Sequence, residues 1–311
     1  MKPFGIAIHG GAGTIPRDSL SAEREALYLE GLDRALSAGY EVLLRGGSAL
    51  EAVREAVVEL ENNPLFNAGR GSVFNHIGSH DMDAAIMCGR TLEAGAVSGI
   101  SQIKNPIVLA ETILKHSDHV MLIGQGAEEF ARLHHLEFAD AGYFYDEFRH
   151  QQWKEALAAG RTQLDHSLPA NEKMGTVGAV AIDLHGNLAA ATSTGGMTNK
   201  KFGRVGDSSI IGAGNYANNV TCAVSCTGHG EPFLRAVTAH DVSCLMEYKG
   251  LSLRDACREV VHKKLPRIHG EGGLIATDAA GNIELVFNSD GMYRGMQHSD
   301  GRREVAIYKE D

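Results

Sequence analysis

The sequence predicts an α+β fold in which two β-sheets face each other and helices cover both outer sides. Two helical segments in the first half, at 20–45 and 48–62, have one apolar and one charged face, and such helices pack their apolar face on a sheet. In the second half the turn pattern D-x-x-G-N lies between apolar runs at Asp183 and again at Asp278. This repeat could arise by chance, but we interpret it as two hairpins in facing apolar sheets. The expected layers are therefore helix, sheet, sheet, helix.

The first strand and the two helices after it are located by their apolar spacing and capping residues. Residues 4–8 form a short apolar run that leads into the glycine cluster HGGAG at 9–13. The cluster lacks the Lys-Ser/Thr ending of a phosphate-binding loop, so we interpret it as a place where backbones pack closely. Helical spacing of leucines continues over 20–45. Ser48 and Glu51 then form a capping box that begins the second helix.

The remaining elements follow from the same signals. Predicted helices cover 106–115, 125–136, 146–159, 231–248 and 253–265, and predicted strands cover 119–123, 178–182, 188–194 and 221–226. The stretch at about 160–175 is polar and without periodicity, so we expect an exposed, mobile linker there.

Composition limits the partners and the compartment. The chain has 311 residues, which we expect to form a single domain over 1–311. Its 29 basic and 39 acidic residues give a net charge of -10, which argues against nucleic acid and anionic membranes as partners. The start, MKPFGIAIHGG, has only about four apolar residues in its core, too few for a signal peptide, and no run approaches the ~18 residues of a membrane span. We therefore expect a cytoplasmic protein.

Cysteine and histidine usage gives no sign of a metal centre. The five cysteines are odd in number and lack metal-type pairing, which favours free thiols in a reducing compartment. The 15 histidines show no zinc-ligand spacing, and we interpret them as surface or packing residues.

Thr176 is the candidate nucleophile. It stands between two glycines at the start of the apolar run MGTVGAVA, residues 174–181. A threonine hydroxyl needs a base beside it, and a threonine at a chain terminus carries one in its own α-amine. This requires cleavage before Thr176, where Gly175 leaves the carbonyl open to attack and the polar linker tolerates a break. A strand entered through Gly-Thr is the alternative interpretation.

Six further motifs surround this step in the chain. They are HGGAG at 9–13, NAGRG at 67–71, TSTGGM at 192–197, GRVGDS at 203–208, GAGNYANN at 212–219 and SCTGHGE at 225–231. Together with the Gly-Thr step, they resemble the plant-type L-asparaginase and isoaspartyl aminopeptidase family of N-terminal nucleophile hydrolases. The resemblance covers nearly the whole chain, and it implies the four-layer αββα sandwich of these hydrolases.

The resemblance implies how the reacting group is supported. Thr194 corresponds to a second threonine that hydrogen-bonds the nucleophile, although an ordinary strand residue is the alternative. Thr227 and Gly228 follow a predicted strand, and a tight loop there would aim a hydroxyl and an N–H at the substrate carbonyl. Such donors stabilise an oxyanion by roughly 3 to 4 kcal/mol each. Asn67 is expected to support the site.

Arg204 and Asp207 are the candidate recognition residues. An arginine fork can hold an α-carboxylate through two bonds, and an aspartate three positions later can hold the α-ammonium. Gly230 leaves room for the substrate. A mutual ion pair on the surface is the alternative, and it would contribute under about 1 kcal/mol.

A structural sodium ion is the one metal that the resemblance implies, and no cofactor is expected for catalysis. In family members with this loop, main-chain carbonyls bind the ion, and a hard cation prefers such oxygens. The corresponding residues are Leu60, Glu61, Asn63, Phe66, Ala68 and Arg70. An unliganded loop is the alternative. Cys88 stands where the family usually has an aspartate, which argues against transferring the loop in detail.

The expected activity is that of an amidohydrolase that cleaves itself into an α subunit, 1–175, and a β subunit, 176–311. It would act on isoaspartyl dipeptides and L-asparagine through a β-aspartyl-threonyl ester, with a small molecule or dipeptide as its only partner besides a second copy. The family forms homodimers of cleaved protomers, α2β2. Two alternatives remain open: a glycosylasparaginase-like hydrolase, and a non-catalytic amino-acid-binding protein in which Thr176 is never cut.

Overall fold

The computed structural model describes residues 2–13, 15, 20–160 and 175–309, so most of the expected linker lies outside the described residues. The strands are β1 Gly5–Gly13, β2 Met82–Cys88, β3 Ala94–Ile100, β4 Met121–Ile123, β5 Val177–Ile182, β6 Leu188–Thr194, β7 Asn215–Ala217, β8 Cys222–Gly228, β9 Gly272–Asp278, β10 Ile283–Phe287, β11 Gly291–His298 and β12 Arg303–Tyr308. The helices are α1 Ala22–Leu44, α2 Ala49–Asn62, α3 Pro106–His116, α4 Gly124–Leu133, α5 Ala141–Phe144, α6 Glu147–Ala158, α7 Gly230–Ala236, α8 Thr238–Lys249 and α9 Leu253–Arg258.

The strands form two sheets. The larger has eight strands in the order β12-β11-β1-β5-β6-β2-β3-β4, and the smaller has four in the order β10-β9-β8-β7. β5, which directly follows Thr176, pairs with β1 on one side and β6 on the other. The candidate nucleophile therefore lies at the end of a central strand of the larger sheet.

Three apolar clusters separate the layers. Ile6 and Ile8 of β1 pack with Leu32 of α1 on one side of the larger sheet. Ala7, between them in β1, points to the other side and packs with Ile275 of β9 in the smaller sheet, because successive strand side chains alternate. A third cluster lies between the smaller sheet and the C-terminal helices. It includes Val224, Leu274, Val242 and Val260.

Local chemistry accounts for the elements that the sequence predicts well. The capping box of α2 is confirmed, since the Ser48 hydroxyl accepts from the Glu51 N–H and the Glu51 carboxylate accepts from the Ser48 N–H. The repeated turns are also confirmed. Oδ1 of Asp183 accepts from the N–H groups two and four residues later, and Oδ1 of Asp278 does the same. The first hairpin joins β5 to β6 in the larger sheet and the second joins β9 to β10 in the smaller one.

The C-terminal helices differ from the prediction. The continuous helix expected over 231–248 is wrong, because Val237 has a left-handed backbone with φ 50° and separates α7 from α8. The helix expected over 253–265 is α-helical only to Arg258. It continues as a π-helix over Glu259–Lys264 and a 3₁₀ turn over Leu265–Ile268.

No helix within the described ranges is long and apolar enough to cross a membrane. All five cysteines are free thiols, and three of them, Cys222, Cys226 and Cys257, are buried.

Candidate active site

Thr176 is buried at the point where β5 begins, with 7% of its surface exposed. The register pairs Val177 with Ser193, so Thr176 stands beside Thr194 at the end of the neighbouring strand β6. The Thr176 Oγ1 atom lies 3.1 Å from the hydroxyl of Ser208, and the Thr194 hydroxyl accepts from the Gly196 N–H at 3.0 Å. Ser208 is thus a direct partner of the candidate nucleophile that the sequence analysis did not single out.

Close backbone packing surrounds the Gly175–Thr176 step. Gly11 of β1 has φ 119°, and a Cβ there would collide with the backbone nitrogen of Gly175. A Cβ on Gly175 would in turn lie 3.0 Å from Oγ1 of Thr227 and 3.2 Å from the Gly11 Cα. The HGGAG cluster is therefore part of a strand against which the expected cleavage step packs. This agrees with the interpretation of that cluster as a place of close packing.

Thr227 and Gly228 are the last residues of β8, and the prediction that they form a loop after the strand is wrong. The ladder to β9 continues to the end, pairing Gly228 with Gly272. Thr227 is fully buried, and its hydroxyl accepts from the Ala12 N–H at 3.2 Å. Because Thr227 lies at the end of β8, its hydroxyl lies beside Gly175.

Arg204 and Asp207 do not form a mutual surface pair. Asp207 is 4% exposed, whereas the Arg204 fork donates to both carboxylate oxygens of Glu231, at 2.9 and 3.0 Å. A Cβ on Gly230 would lie 2.7 Å from Nη2 of Arg204 and 3.0 Å from Oδ1 of Asp207. The three residues thus converge on one point, where only a glycine leaves open space.

The pKa values of the two carboxyl groups at this point, Asp207 and Glu231, are shifted in opposite directions. Burial raises the pKa of Asp207 to about 7, although the Arg204 charge opposes this shift, and Glu231 and Asp83 add to it. Glu231 is shifted the other way, because hydrogen bonds from His229 and Arg204 hold its pKa well below the usual range. Oδ2 of Asp207 is buried and has no hydrogen-bond donor among the described residues. The carboxylate therefore offers one open acceptor to a ligand.

His9 is a polar neighbour of Thr176 that the sequence analysis counted among surface or packing histidines. Its ring is fully buried, and Nδ1 lies 2.9 Å from the Thr176 carbonyl oxygen. A carbonyl only accepts, so Nδ1 carries the proton and Nε2 accepts from the Ser225 hydroxyl at 2.9 Å. Burial lowers the pKa of His9 to about 3, so the ring is neutral. With both nitrogens engaged, His9 orients the backbone of Thr176 and is not a base for its hydroxyl.

Asn67 holds the turn that follows Thr194. Its side chain donates to the Gly196 carbonyl at 2.8 Å and accepts from the Val73 N–H at 3.1 Å, and its own carbonyl accepts from the Gly195 N–H at 2.9 Å. Asn67 is 1% exposed. These bonds fix the backbone beside Thr194.

The backbone packs closely in the candidate sodium loop. A Cβ on Gly69 would lie 2.6 Å from the Glu61 carbonyl oxygen, and one on Gly71 would collide with that of Phe66. The carbonyls of Leu60, Phe66 and Ala68 each accept one backbone N–H and keep a second lone pair. These main-chain oxygens fit a hard cation. No cluster of His, Cys, Asp and Glu side chains in the described part of the chain could hold a metal. Cys88 is the last residue of β2, at the opposite end of that strand from Asp83, which pairs with Thr194.

Comparison with known proteins identifies the family of this chain. Residues 1–307 match the asparaginase family. The chain is 52% identical to the isoaspartyl peptidase of Escherichia coli strain K12 over 308 residues, which cover 98% of this chain and 96% of the relative. It is 51% identical to the isoaspartyl peptidase of Salmonella typhimurium strain LT2 over the full length of both chains. A probable isoaspartyl peptidase/L-asparaginase 2 of Arabidopsis thaliana is 42% identical over 99% of this chain and its own full length. The chain therefore belongs to the asparaginase family.

Proposed function

We propose that this protein is an amidohydrolase that activates itself by cleavage at Gly175–Thr176. It then releases L-aspartate from isoaspartyl dipeptides and hydrolyses L-asparagine to L-aspartate and ammonia. The observation that carries the proposal is the packing of the Gly175–Thr176 step against the Thr227 hydroxyl, with the Thr176 hydroxyl beside Ser208. The names of the relatives, isoaspartyl peptidase and L-asparaginase, support the substrate class.

Maturation begins with attack by the Thr176 oxygen on the carbonyl carbon of Gly175. The hydroxyl proton leaves through Ser208, the bond from that carbon to the Thr176 nitrogen breaks, and the nitrogen takes up a proton. The resulting ester joins Gly175 to the Thr176 oxygen. Water then hydrolyses it, leaving a carboxylate on the segment 1–175 and a free α-amine on the segment 176–311. His9 supports this step by holding the Thr176 carbonyl in place.

Turnover uses the new α-amine as the base. Its ordinary pKa is about 7.7 to 8.0, so about a third of it is uncharged near pH 7.5. The amine accepts the proton as the Thr176 oxygen attacks the substrate's β-carbonyl carbon, and the Thr227 hydroxyl and Gly228 N–H donate to the oxyanion. The proton passes to the leaving amine, which departs and leaves a β-aspartyl-threonyl ester. Water hydrolyses the ester and releases L-aspartate. Thr194 stands beside the nucleophile in the neighbouring strand and supports its hydroxyl.

Substrate selection rests on Arg204, Asp207 and Gly230. The guanidinium binds the α-carboxylate and the open acceptor of Asp207 binds the α-ammonium, while Gly230 leaves the space between them. A substrate with both groups then places its β-carbonyl carbon at Thr176. Glu231 holds the guanidinium in this position through two hydrogen bonds.

We further propose the layer architecture, a bound ion, the assembly and the compartment of this enzyme. The three apolar clusters support a four-layer αββα sandwich, built as a single domain from both cleaved subunits. A sodium ion bound by the main-chain carbonyls of Leu60, Glu61, Asn63, Phe66, Ala68 and Arg70 would stiffen this loop without taking part in the reaction. Two cleaved protomers would form an α2β2 dimer. The five thiols favour a reducing compartment, and we propose the cytoplasm.

Intact mass after incubation of the purified protein tests this function. We expect a fragment that begins at Thr176, and release of aspartate from a β-aspartyl dipeptide and from L-asparagine. Thr176→Ala should stay uncut and inactive. A full-length mass that persists in an active preparation would contradict the mechanism. A full-length, inactive protein that binds L-aspartate would instead favour an amino-acid-binding protein.

A further inference from the structure

A buried ion pair lies next to the candidate active site. Lys200 and Asp83 are 2% and 1% exposed, and Lys200 Nζ lies 3.6 Å from Oδ2 of Asp83. Lys200 Nζ also donates to the Asp81 carbonyl at 2.6 Å, and Oδ1 of Asp83 accepts from the Gly99 N–H at 3.0 Å. Burying two charges removes their hydration, and apolar residues of the same volume are often as stabilising. Stability alone therefore does not explain this pair.

The pair belongs to the same row of the sheet as the nucleophile. Asp83 of β2 pairs directly with Thr194 of β6, and Thr176 stands on the other side of Thr194. Lys200 packs on the turn after Thr194, since a Cβ on Gly196 would lie 2.7 Å from Lys200 Nζ. Three neighbouring residues therefore form one row across the sheet, from Thr176 through Thr194 to Asp83. The Lys200 ammonium lies beside the Asp83 carboxylate at the end of this row.

Lys200 is also the last buried residue before Arg204. Phe202 and Gly203 between them are exposed, and Phe202 has a left-handed backbone with φ 59°. The chain is held at Lys200 through its side chain and through its carbonyl, which accepts from the His76 N–H at 2.9 Å. On the other side of Arg204 the chain is buried again at Asp207. Arg204, itself half-buried, therefore follows a short exposed stretch whose start, at Lys200, is held by the ion pair.

The charges of the pair and of the recognition residues act on one another. Burial raises the pKa of Asp83, whereas the charges of Lys200 and Arg204 oppose this shift, and Asp83 contributes to the raised pKa of Asp207. Asp83 thus lies close enough to both recognition residues to influence them. Oδ2 of Asp83 has no hydrogen-bond donor in the described part of the chain, so its interaction is with charge alone.

We infer that the Lys200–Asp83 pair is a positioning element that places Arg204 for the substrate α-carboxylate. This inference rests on the proposed function of Arg204. Because α-carboxylate binding is shared by the ground state and the transition state, displacing Arg204 raises KM more than it lowers kcat. The pair itself does not touch the substrate.

The test replaces both charges with apolar side chains of similar size, Asp83→Leu together with Lys200→Met. We expect this double variant to fold and cleave itself, to show KM for L-asparagine and Ki for L-aspartate raised tenfold or more, and to keep kcat per cleaved chain within about threefold of the wild type. The matched control is Asp241→Leu with Lys264→Met. It removes a Lys–Asp pair on the C-terminal helices, with Nζ–Oδ2 at 2.7 Å, and should leave KM unchanged.

A double variant that folds and keeps the wild-type KM would overturn the inference. If the double variant fails to fold, the single variant Asp83→Glu tests the inference instead, because it keeps the negative charge but moves it by one methylene. We expect its KM to rise severalfold, and an unchanged KM would again overturn the inference. Wild-type protein assayed in parallel distinguishes failure of the proposed function from failure of this inference. An uncut, inactive wild type contradicts the proposed function. An active wild type whose KM is unchanged by the variants of the pair contradicts only this inference.

Discussion

The α-ammonium site is predicted to lose affinity as the solution is acidified through about pH 7. Burial raises the pKa of Asp207 to about 7, and the Arg204 charge reduces this shift without cancelling it. Only the ionised carboxylate attracts an ammonium. A raised carboxyl pKa therefore means that binding is strongest above pH 7 and is lost as the pH falls below it.

The magnitude follows from the fraction of Asp207 that is ionised. With a pKa of about 7, roughly 0.9 of the carboxyl is ionised at pH 8 and roughly 0.1 at pH 6, so affinity should fall about tenfold between them. The assay measures Ki for L-aspartate and for succinate on cleaved enzyme across this range. Succinate has both carboxylates but no ammonium, so changes at the Thr176 amine act on both inhibitors. The ratio of the two Ki values therefore reports the ionisation of Asp207 separately from that of the Thr176 amine.

The control is Asp207→Asn, which cannot titrate. In this variant the ratio of Ki values should be independent of pH, and L-aspartate should bind no better than succinate at pH 8. A wild-type ratio that stays flat between pH 6 and pH 8 would refute the reasoning, because the ammonium would then be held by some group other than Asp207.

Three further predictions concern the other parts of the site. Arg204→Lys should raise KM roughly 10- to 150-fold and leave self-cleavage unchanged, since an ammonium cannot reproduce the two-bond fork; a wild-type KM would contradict this. Gly11→Ala should slow self-cleavage on a denaturing gel because its Cβ collides with Gly175, whereas Gly46→Ala, with φ 81° and no atom within 4 Å of its Cβ, should not. kcat of cleaved enzyme should rise with pH with an apparent pKa within about a unit of 7.7 to 8.0, and neither a chelator nor a thiol reagent should abolish it.

Features that depend on residues close in sequence could be predicted before the structure. The capping box at Ser48 and the turns at Asp183 and Asp278 need only a side chain and the backbone two to four residues away. The candidate site residues could be predicted only because short motifs, in their order along the chain, resemble those of a known family. The physical chemistry of any one of these residues does not identify it as part of a site. The structure brings Gly175, Thr227 and Gly11 to one place. The role of Gly175 as the cleavage site and that of Thr227 as an oxyanion donor stay predictions.

Features that depend on distant partners could not be predicted. The break at Val237 falls at a position without Pro or Gly, and the N–H groups of Ala239 and His240 just after it donate to the carbonyls of Ala213 and Gly212. His9 follows an apolar run, and nothing near it in sequence indicates that its partners are Thr176 and Ser225. β8 extends through Gly228 because β9 continues beside it. In each case the deciding contact is made by a residue from another part of the chain, and short-range patterns carry no information about it.

The position of Gly175 would connect maturation to turnover in the proposed mechanism. In the uncut chain Gly175 lies between Gly11 and the Thr227 hydroxyl, the donor proposed for the substrate oxyanion. In the proposed mechanism, the Thr176 oxygen would attack the Gly175 carbonyl carbon during cleavage and the substrate carbonyl carbon during turnover, one after the other and in the same place. Gly175 must leave before a substrate can enter, so the precursor would be inactive for lack of space as well as for lack of a free amine. A side chain at position 175 would press against Thr227 only while the bond is intact. If the proposed cleavage occurs, glycine is therefore needed at position 175 for maturation and not for turnover.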